Sequence, residues 1–214
     1  MSLCHVSRFR LSRWLGGLLS GTALLLASVR VPAQDVAQMR ELEKKAEYIL
    51  GFTRFVEWPA EKFADPAAPF VIGVFGMSDI TVLLQLALQK RPARGRPVVI
   101  RHLWMKRELP SCHVLFISRS AQRKLLPILR QVTRENVLTV GECDDFIARG
   151  GVINFVNVAD CVRFQISAEA AARENLTISS KLLQLAVPSR SGIPTSPPIS
   201  APASPKAPLP AAAR

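Results

Sequence analysis

The sequence predicts an α/β domain built in three layers, with a mainly parallel sheet that carries a C-terminal β-hairpin at one edge. Three observations lead there. Phe70-Val-Ile-Gly-Val-Phe75 is a continuous apolar run, ended by Gly76 and followed by a helical stretch, as a strand covered on both faces requires. Strand and helix patterns then alternate along the chain. Near the end, 151–156 and 162–166 alternate inward and outward residues around a short turn at 157–160, the pattern of an edge hairpin.

Taken in order, residues 37–51 place Met39, Leu42, Ala46, Ile49 and Leu50 at helical spacing with Glu41, Glu43, Lys44 and Lys45 between them, an amphipathic helix. Phe52 to Pro59 reads as the helix end, a turn and an aromatic plug, because Pro59 blocks continuation. After the strand 70–75, Ser78 or Asp79 caps a helix over 80–88. Strands follow at 98–103, 113–117 and 137–141, with a helix over 121–134 that Pro127 interrupts. Two short helices at 168–175 and 179–186 close the domain.

Both ends of the chain have a different character. Arg8, Arg10 and Arg13 precede an apolar run of 16 residues from Trp14 to Val29, and Val31-Pro-Ala33 supplies small residues before Gln34. That is the order of a secretory signal peptide, 1–33, cleaved near Ala33, and the run is shorter than the roughly 20 residues of a spanning helix. From Pro188 to Arg214 the chain holds 8 of its 16 prolines, with many Ala and Ser and no acidic or aromatic residue, a composition expected to be disordered. The folded part is therefore 35–187, facing an extracytoplasmic compartment. Setting aside the arginines of the leader and Arg190, Lys206 and Arg214 leaves 21 basic against 16 acidic residues. So mild a surplus does not indicate nucleic-acid binding, and the basic run from Lys90 to Arg96 reads as a solvated loop.

Chemical motifs are sparse. The Gly73-Val-Phe-Gly76 turn lacks a dinucleotide or P-loop fingerprint, so no cofactor is implied. His102 and His113 have no partner at metal-ligand spacing, and Glu142, Asp144 and Asp145 follow a strand without a nucleophile or metal ligand beside them. An enzyme is not expected. Cys4 leaves with the leader, so Cys112, Cys143 and Cys161 remain. Cys112 precedes one strand and Cys143 follows its parallel neighbour, which puts them roughly 15 Å apart, beyond disulfide reach. Cys161 is then the shared candidate for a single disulfide, with Cys112 ahead of Cys143.

Phe55-Val-Glu-Trp-Pro59, Cys112-His-Val-Leu-Phe-Ile-Ser118, Leu138-Thr-Val140, Gly150-Gly-Val-Ile-Asn-Phe155, Val162-Arg-Phe-Gln-Ile166 and Ile178-Ser-Ser-Lys-Leu-Leu183 together resemble the YfiR family of periplasmic proteins, across about 40–187. The resemblance implies a Rossmann-like α/β fold, homodimerisation, and repression of an inner-membrane diguanylate cyclase through its periplasmic domain, relieved when an outer-membrane lipoprotein sequesters the repressor. The better-known members carry two disulfides, which three cysteines do not supply within one chain. The residues expected at a partner surface are Phe55, Glu57 and Trp58 on the aromatic segment, Arg163 on the hairpin and Lys181 on the last helix. The alternative is a small-ligand sensor with its pocket at the strand carboxyl ends, near Gly76, Ser118 and Gly141.

Overall fold

The computed structural model describes residues 33–65, 67–90 and 96–188. The leader, most of the basic run after Lys90 and the tail beyond Pro188 lie outside the described residues. Of the segment Met1–Ala37, only the start of the first helix is described.

The chain forms a mixed α/β fold around a six-stranded sheet of order β3-β2-β4-β5-β6-β7, parallel except for the edge strand β7. Helix α1 (Ala33–Phe55) leads through β1 (Val56–Glu57) to β2 (Phe70–Phe75), α2 (Ile80–Lys90) and β3 (Val98–Leu103). The chain then crosses β2 to form β4 (Val114–Ile117), α3 (Leu125–Gln131) and β5 (Leu138–Gly141). Strands β6 (Ile153–Val158) and β7 (Cys161–Ile166) make the hairpin, and α4 (Ala168–Arg173), β8 (Thr177–Ile178) and α5 (Ser180–Leu185) complete the order. The reversal of direction between β2 and β4 is a doubly wound switch point.

Burial explains why β2, β4 and β5 read as unbroken apolar runs: every residue in them is buried. One face packs Ile72, Val74, Phe116 and Val140 against Ala46, Ile49 and Phe52 of α1, Leu84 of α2 and Leu182 of α5. The other packs Val71, Leu115 and Ile117 against Leu125, Ile128 and Phe146. Phe146 locks the second layer. A β-carbon on Gly141 would meet its ring at 2.3 Å and one on Gly151 at 2.0 Å, so only glycine admits the ring between those two backbones.

Several boundaries differ from the sequence reading. Phe52 is helical rather than part of a turn: α1 continues to Phe55, because Phe52 belongs to the buried stripe begun by Ala46 and Ile49. The expected helix over 121–134 is split into a 3₁₀ turn, Arg119–Lys124, and α3. Pro127 is the third residue of α3, where its missing N–H has no intrahelical acceptor to lose, so it opens the helix instead of kinking it. The hairpin turn tightens to Ala159 and Asp160, both in the left-handed region, φ 48° and 59°. Strands β1 and β8 pair antiparallel as a separate two-stranded sheet that the sequence pattern did not reveal.

Candidate functional site

At the carboxyl end of the parallel strands, the switch point between β2 and β4 is closed by side chains. Gly76 has φ 96°, and a β-carbon there would lie 2.3 Å from Ser118 Oγ and 2.8 Å from Ser120 Oγ. Ser120 Oγ accepts from Met77 N (2.8 Å) and stands 2.7 Å from Ser118 Oγ, while His102 Nε2 donates to Gly76 O at 3.0 Å. The positions that a strand-end pocket would use, Gly76 and Ser118, are thus packed together, and Gly141 is filled by Phe146.

Beside them, Lys45 of α1 is 7% exposed and its ammonium reaches Glu142 Oε2 (2.7 Å) and Glu41 Oε1 (2.5 Å). Glu142 Oε1 accepts from Arg119 N at 2.9 Å, so one carboxylate joins α1 to the ends of β4 and β5. Burial works against ionisation of Glu41, but the Lys45 hydrogen bond and charge outweigh it and hold the carboxyl below its ordinary pKa. Asp144 and Asp145 are exposed in the following turn. Lys45 was read among the polar spacers of the helix; its burial is decided by Glu142, 97 residues away, which no local pattern reveals.

The amino end is built from rings. His113 is 5% exposed, stacked between Phe63 (4.5 Å) and Phe70 (4.7 Å), with Nδ1 accepting from Val71 N at 3.0 Å. Burial, then the charges of Lys62 and Arg96, push its pKa down to about 4, so it is neutral. Arg96 lies 4.0 Å over the Phe63 ring, and Lys62 donates to Pro110 O and Glu135 O at 2.7 and 2.6 Å. Trp58 packs edge-on against Phe70 and donates Nε1–H to His113 O at 3.2 Å.

The expected partner residues divide. Phe55, Glu57, Trp58 and Lys181 come together: Phe55 O accepts from Ser179 N, Glu57 pairs with Thr177, and Ser179 caps α5, in whose first turn Lys181 lies. Phe55 (37%), Leu183 (40%) and Leu185 (60%) expose apolar surface there. Arg163 is not with them. On β7 it alternates with Val162 and Phe164, which face α1 and α5, so Arg163 projects from the opposite side of the sheet. Leu183 and Leu185 were not singled out from sequence, because a final amphipathic turn gives no sign of which face stays uncovered.

Two cavities flank these elements. One, about 210 Å³, lies between α1 and α2 along Leu50, Gly51, Leu83 and Leu86; the other, about 230 Å³, lies among Arg130, Arg149, Arg173 and the buried Glu174. Among the described residues no group of three or more His, Cys, Asp or Glu could hold a metal ion, and no helix is long and apolar enough to cross a membrane.

All three described cysteines are free, which corrects the expected disulfide. Cys112 lies before β4 at the amino end, buried, with its Sγ donating to Leu109 O; Cys161 opens β7 at the hairpin tip of the opposite end, three strands across. By strand geometry the two are on the order of 30 Å apart along the sheet, far beyond disulfide reach. Cys143 shares the end with Cys161 but is turned into the layer around Phe146. Burial pushes the Cys112 thiol up to about 12 and raises that of Cys143 as well.

The fold is a doubly wound α/β domain whose switch point is packed by its own side chains. Residues 43–187 match the model of the YfiR/HmsC-like family, and the chain belongs to that family. Its members are regulatory rather than catalytic, acting as periplasmic regulators of cyclic di-GMP signalling. No curated protein matches the chain. Among solved structures, a conserved domain protein from Vibrio cholerae O1 biovar El Tor is similar at 15% identity and TM-score 0.47, over 68% of this chain and 58% of that one. An ABC domain from Streptococcus pneumonia, solved in complex with L-Trp, is similar at 12% identity and TM-score 0.45, over 68% and 59%. The chain therefore spans less than two thirds of either structure's length.

Proposed function

We propose that the protein is exported by a cleaved signal peptide and represses an inner-membrane diguanylate cyclase by binding the cyclase's periplasmic domain. The observation that carries this reading is the exposure of Phe55, Leu183 and Leu185, apolar side chains left in solvent around the β1–β8 pair and α5, which also carry Glu57 and Lys181. A stable protein contact needs about 800 Å² per partner and combines apolar with charged residues, and this region of the surface offers both. Family membership supports the signalling context. Homodimerisation, and release of the cyclase when an outer-membrane lipoprotein captures the repressor, complete the proposal.

Deleting the gene raises cyclic di-GMP on this reading, and Leu185→Glu with Phe55→Asp raises it equally while the protein stays folded and exported. Unchanged cyclic di-GMP in the deletion strain, together with no membrane protein recovered by cross-linking at these residues, overturns the proposal.

A further inference from the structure

We infer that the loops after β2 and β3, at the carboxyl end of the sheet, are a docking face for an anionic phospholipid surface. Three large apolar side chains stand in solvent there: Met77 (79% exposed), Trp104 (74%) and Met105 (50%). They form one cluster. Phe75 and Leu103 are paired in register, so Met77 follows the end of β2, and Trp104 and Met105 follow the end of its neighbour β3. His102 links the two loops, donating to Gly76 O while its ring packs 4.1 Å from that of Trp104. Glu108 holds the second loop, accepting from Trp104 N (3.2 Å) and Met105 N (3.0 Å), so the backbone is fixed and the side chains are directed outward. This is a maintained arrangement of exposed apolar groups, which a soluble surface without a contact to make does not favour.

Charge identifies the occupant. Arg101, Lys106 and Arg107 are exposed on β3 and the loop that follows it, the carboxylate of Glu108 is committed to backbone N–H groups, and Asp79 is the exposed acid beside Met77, so cations outnumber free carboxylates at these two loops. Tryptophan at an interface with cations beside it matches the headgroup region of a bilayer: the indole and thioethers enter the boundary between headgroups and chains while the cations meet phosphates. The same end also exposes Val158 beside the hairpin turn and Met39 on α1, whose neighbour Glu41 meets Asn157 of the hairpin at 3.3 Å. Asp144, Asp145 and Asp160 are exposed between or beside these residues, so the docking face is confined to the loops after β2 and β3. This inference is independent of which protein is regulated.

The test uses the mature chain with vesicles of phosphatidylglycerol and phosphatidylcholine, against phosphatidylcholine alone. The protein co-sediments with the anionic vesicles, its tryptophan emission shifts to the blue, and both effects fade as salt is raised. Trp104→Ser, read by co-sedimentation, loses most of the binding, and Lys106→Gln with Arg107→Gln weakens it roughly thirtyfold, at about 1 kcal/mol for each cation near the surface. Unchanged melting temperatures show that the variants are folded. Absence of binding to anionic vesicles at low salt overturns the inference, as does binding that these variants leave intact. Variants that keep vesicle binding but lose cross-linking to a membrane protein in cells assign the cluster to a protein partner, and overturn it equally.

Discussion

At the carboxyl end of the sheet, Lys45, Glu142, Ser118 and Ser120 fill the crevice that a doubly wound fold ordinarily leaves for a ligand, whereas at the amino end His113 and its rings hold Trp58, the residue that follows β1 of the second small sheet. Polar groups hold the first end together by ion pairing across 97 residues of sequence. Stacking and burial hold the second. The inner crevice is packed shut, and the large apolar side chains that remain exposed lie outside it, among them those of the loops after β2 and β3, the end of α1 and α5.

The largest expected effect comes from breaking the carboxyl end. Lys45→Ala removes the cation from Glu142, whose side chain is 13% exposed, and leaves a nearly buried carboxylate facing Arg119 N alone. Stripping one partner from such a pair costs about 4 kcal/mol, measured by denaturant unfolding. Lys45→Met with Glu142→Gln restores much of that stability, because the more buried carboxylate is gone and the one left without its cation, Glu41, is a third exposed and keeps Asn157 as a partner. A loss below about 1 kcal/mol in the single variant would show that water reaches the pair and that the end is not sealed.

The amino end breaks by acid. The unfolded chain takes up a proton on this histidine near 6.5, but folded His113 resists protonation down to about 4. Its contribution is complete above pH 6.5 and is lost as pH falls from there toward 4, up to about 3 kcal/mol in total. His113→Asn keeps an acceptor for Val71 N and removes the titration. The difference in stability between the two proteins then narrows across that window, and a difference that stays constant from pH 7 to 4.5 would contradict the stacked, neutral assignment. Carboxylates such as Glu41 add their own acid sensitivity at lower pH, equally in both proteins.

Thiol reactivity probes both ends with a smaller perturbation. A maleimide labels Cys161 alone in the native protein, since Cys112 and Cys143 are buried with raised pKa values, and Cys161→Ser changes stability by less than about 0.5 kcal/mol. Failure of native Cys161 to react, with a cross-linked peptide on mapping, would reinstate a disulfide.

What the sequence disclosed follows the range of the interactions involved. The apolar run of β2 and the alternation of β6 and β7 report burial by near neighbours, so the parallel sheet and its edge hairpin were legible. The packing of Gly141 and Gly151 on Phe146, the burial of Lys45 and the pairing of Val56 with Ile178 depend on residues brought together only by topology. The same limit divided the partner residues. Phe55, Glu57, Trp58 and Lys181 converge because α1 delivers β1 to β8, while Arg163 sits on a strand whose facing is fixed by the register with β6.

The smallest expected change in stability separates the two surfaces most sharply. Leu185→Ser and Trp104→Ser each replace an exposed side chain, 60% and 74% accessible, so each alters unfolding free energy by less than about 0.5 kcal/mol. Their consequences in the cell should not resemble each other. Leu185 is an exposed apolar residue of α5, so on the proposed function its loss weakens repression and raises cyclic di-GMP while vesicle binding is unchanged. Trp104 follows β3, at the opposite edge of the sheet from β7, beside which the chain runs after α5, so on the inference above its loss removes the affinity for anionic vesicles, and repression weakens only as far as residence at the membrane contributes to finding the cyclase. Cyclic di-GMP measured beside vesicle co-sedimentation for both variants gives a two-by-two comparison. Should either single substitution abolish both readouts in a protein that remains folded, the two surfaces would be one interface, and their assignment to different partners would fail.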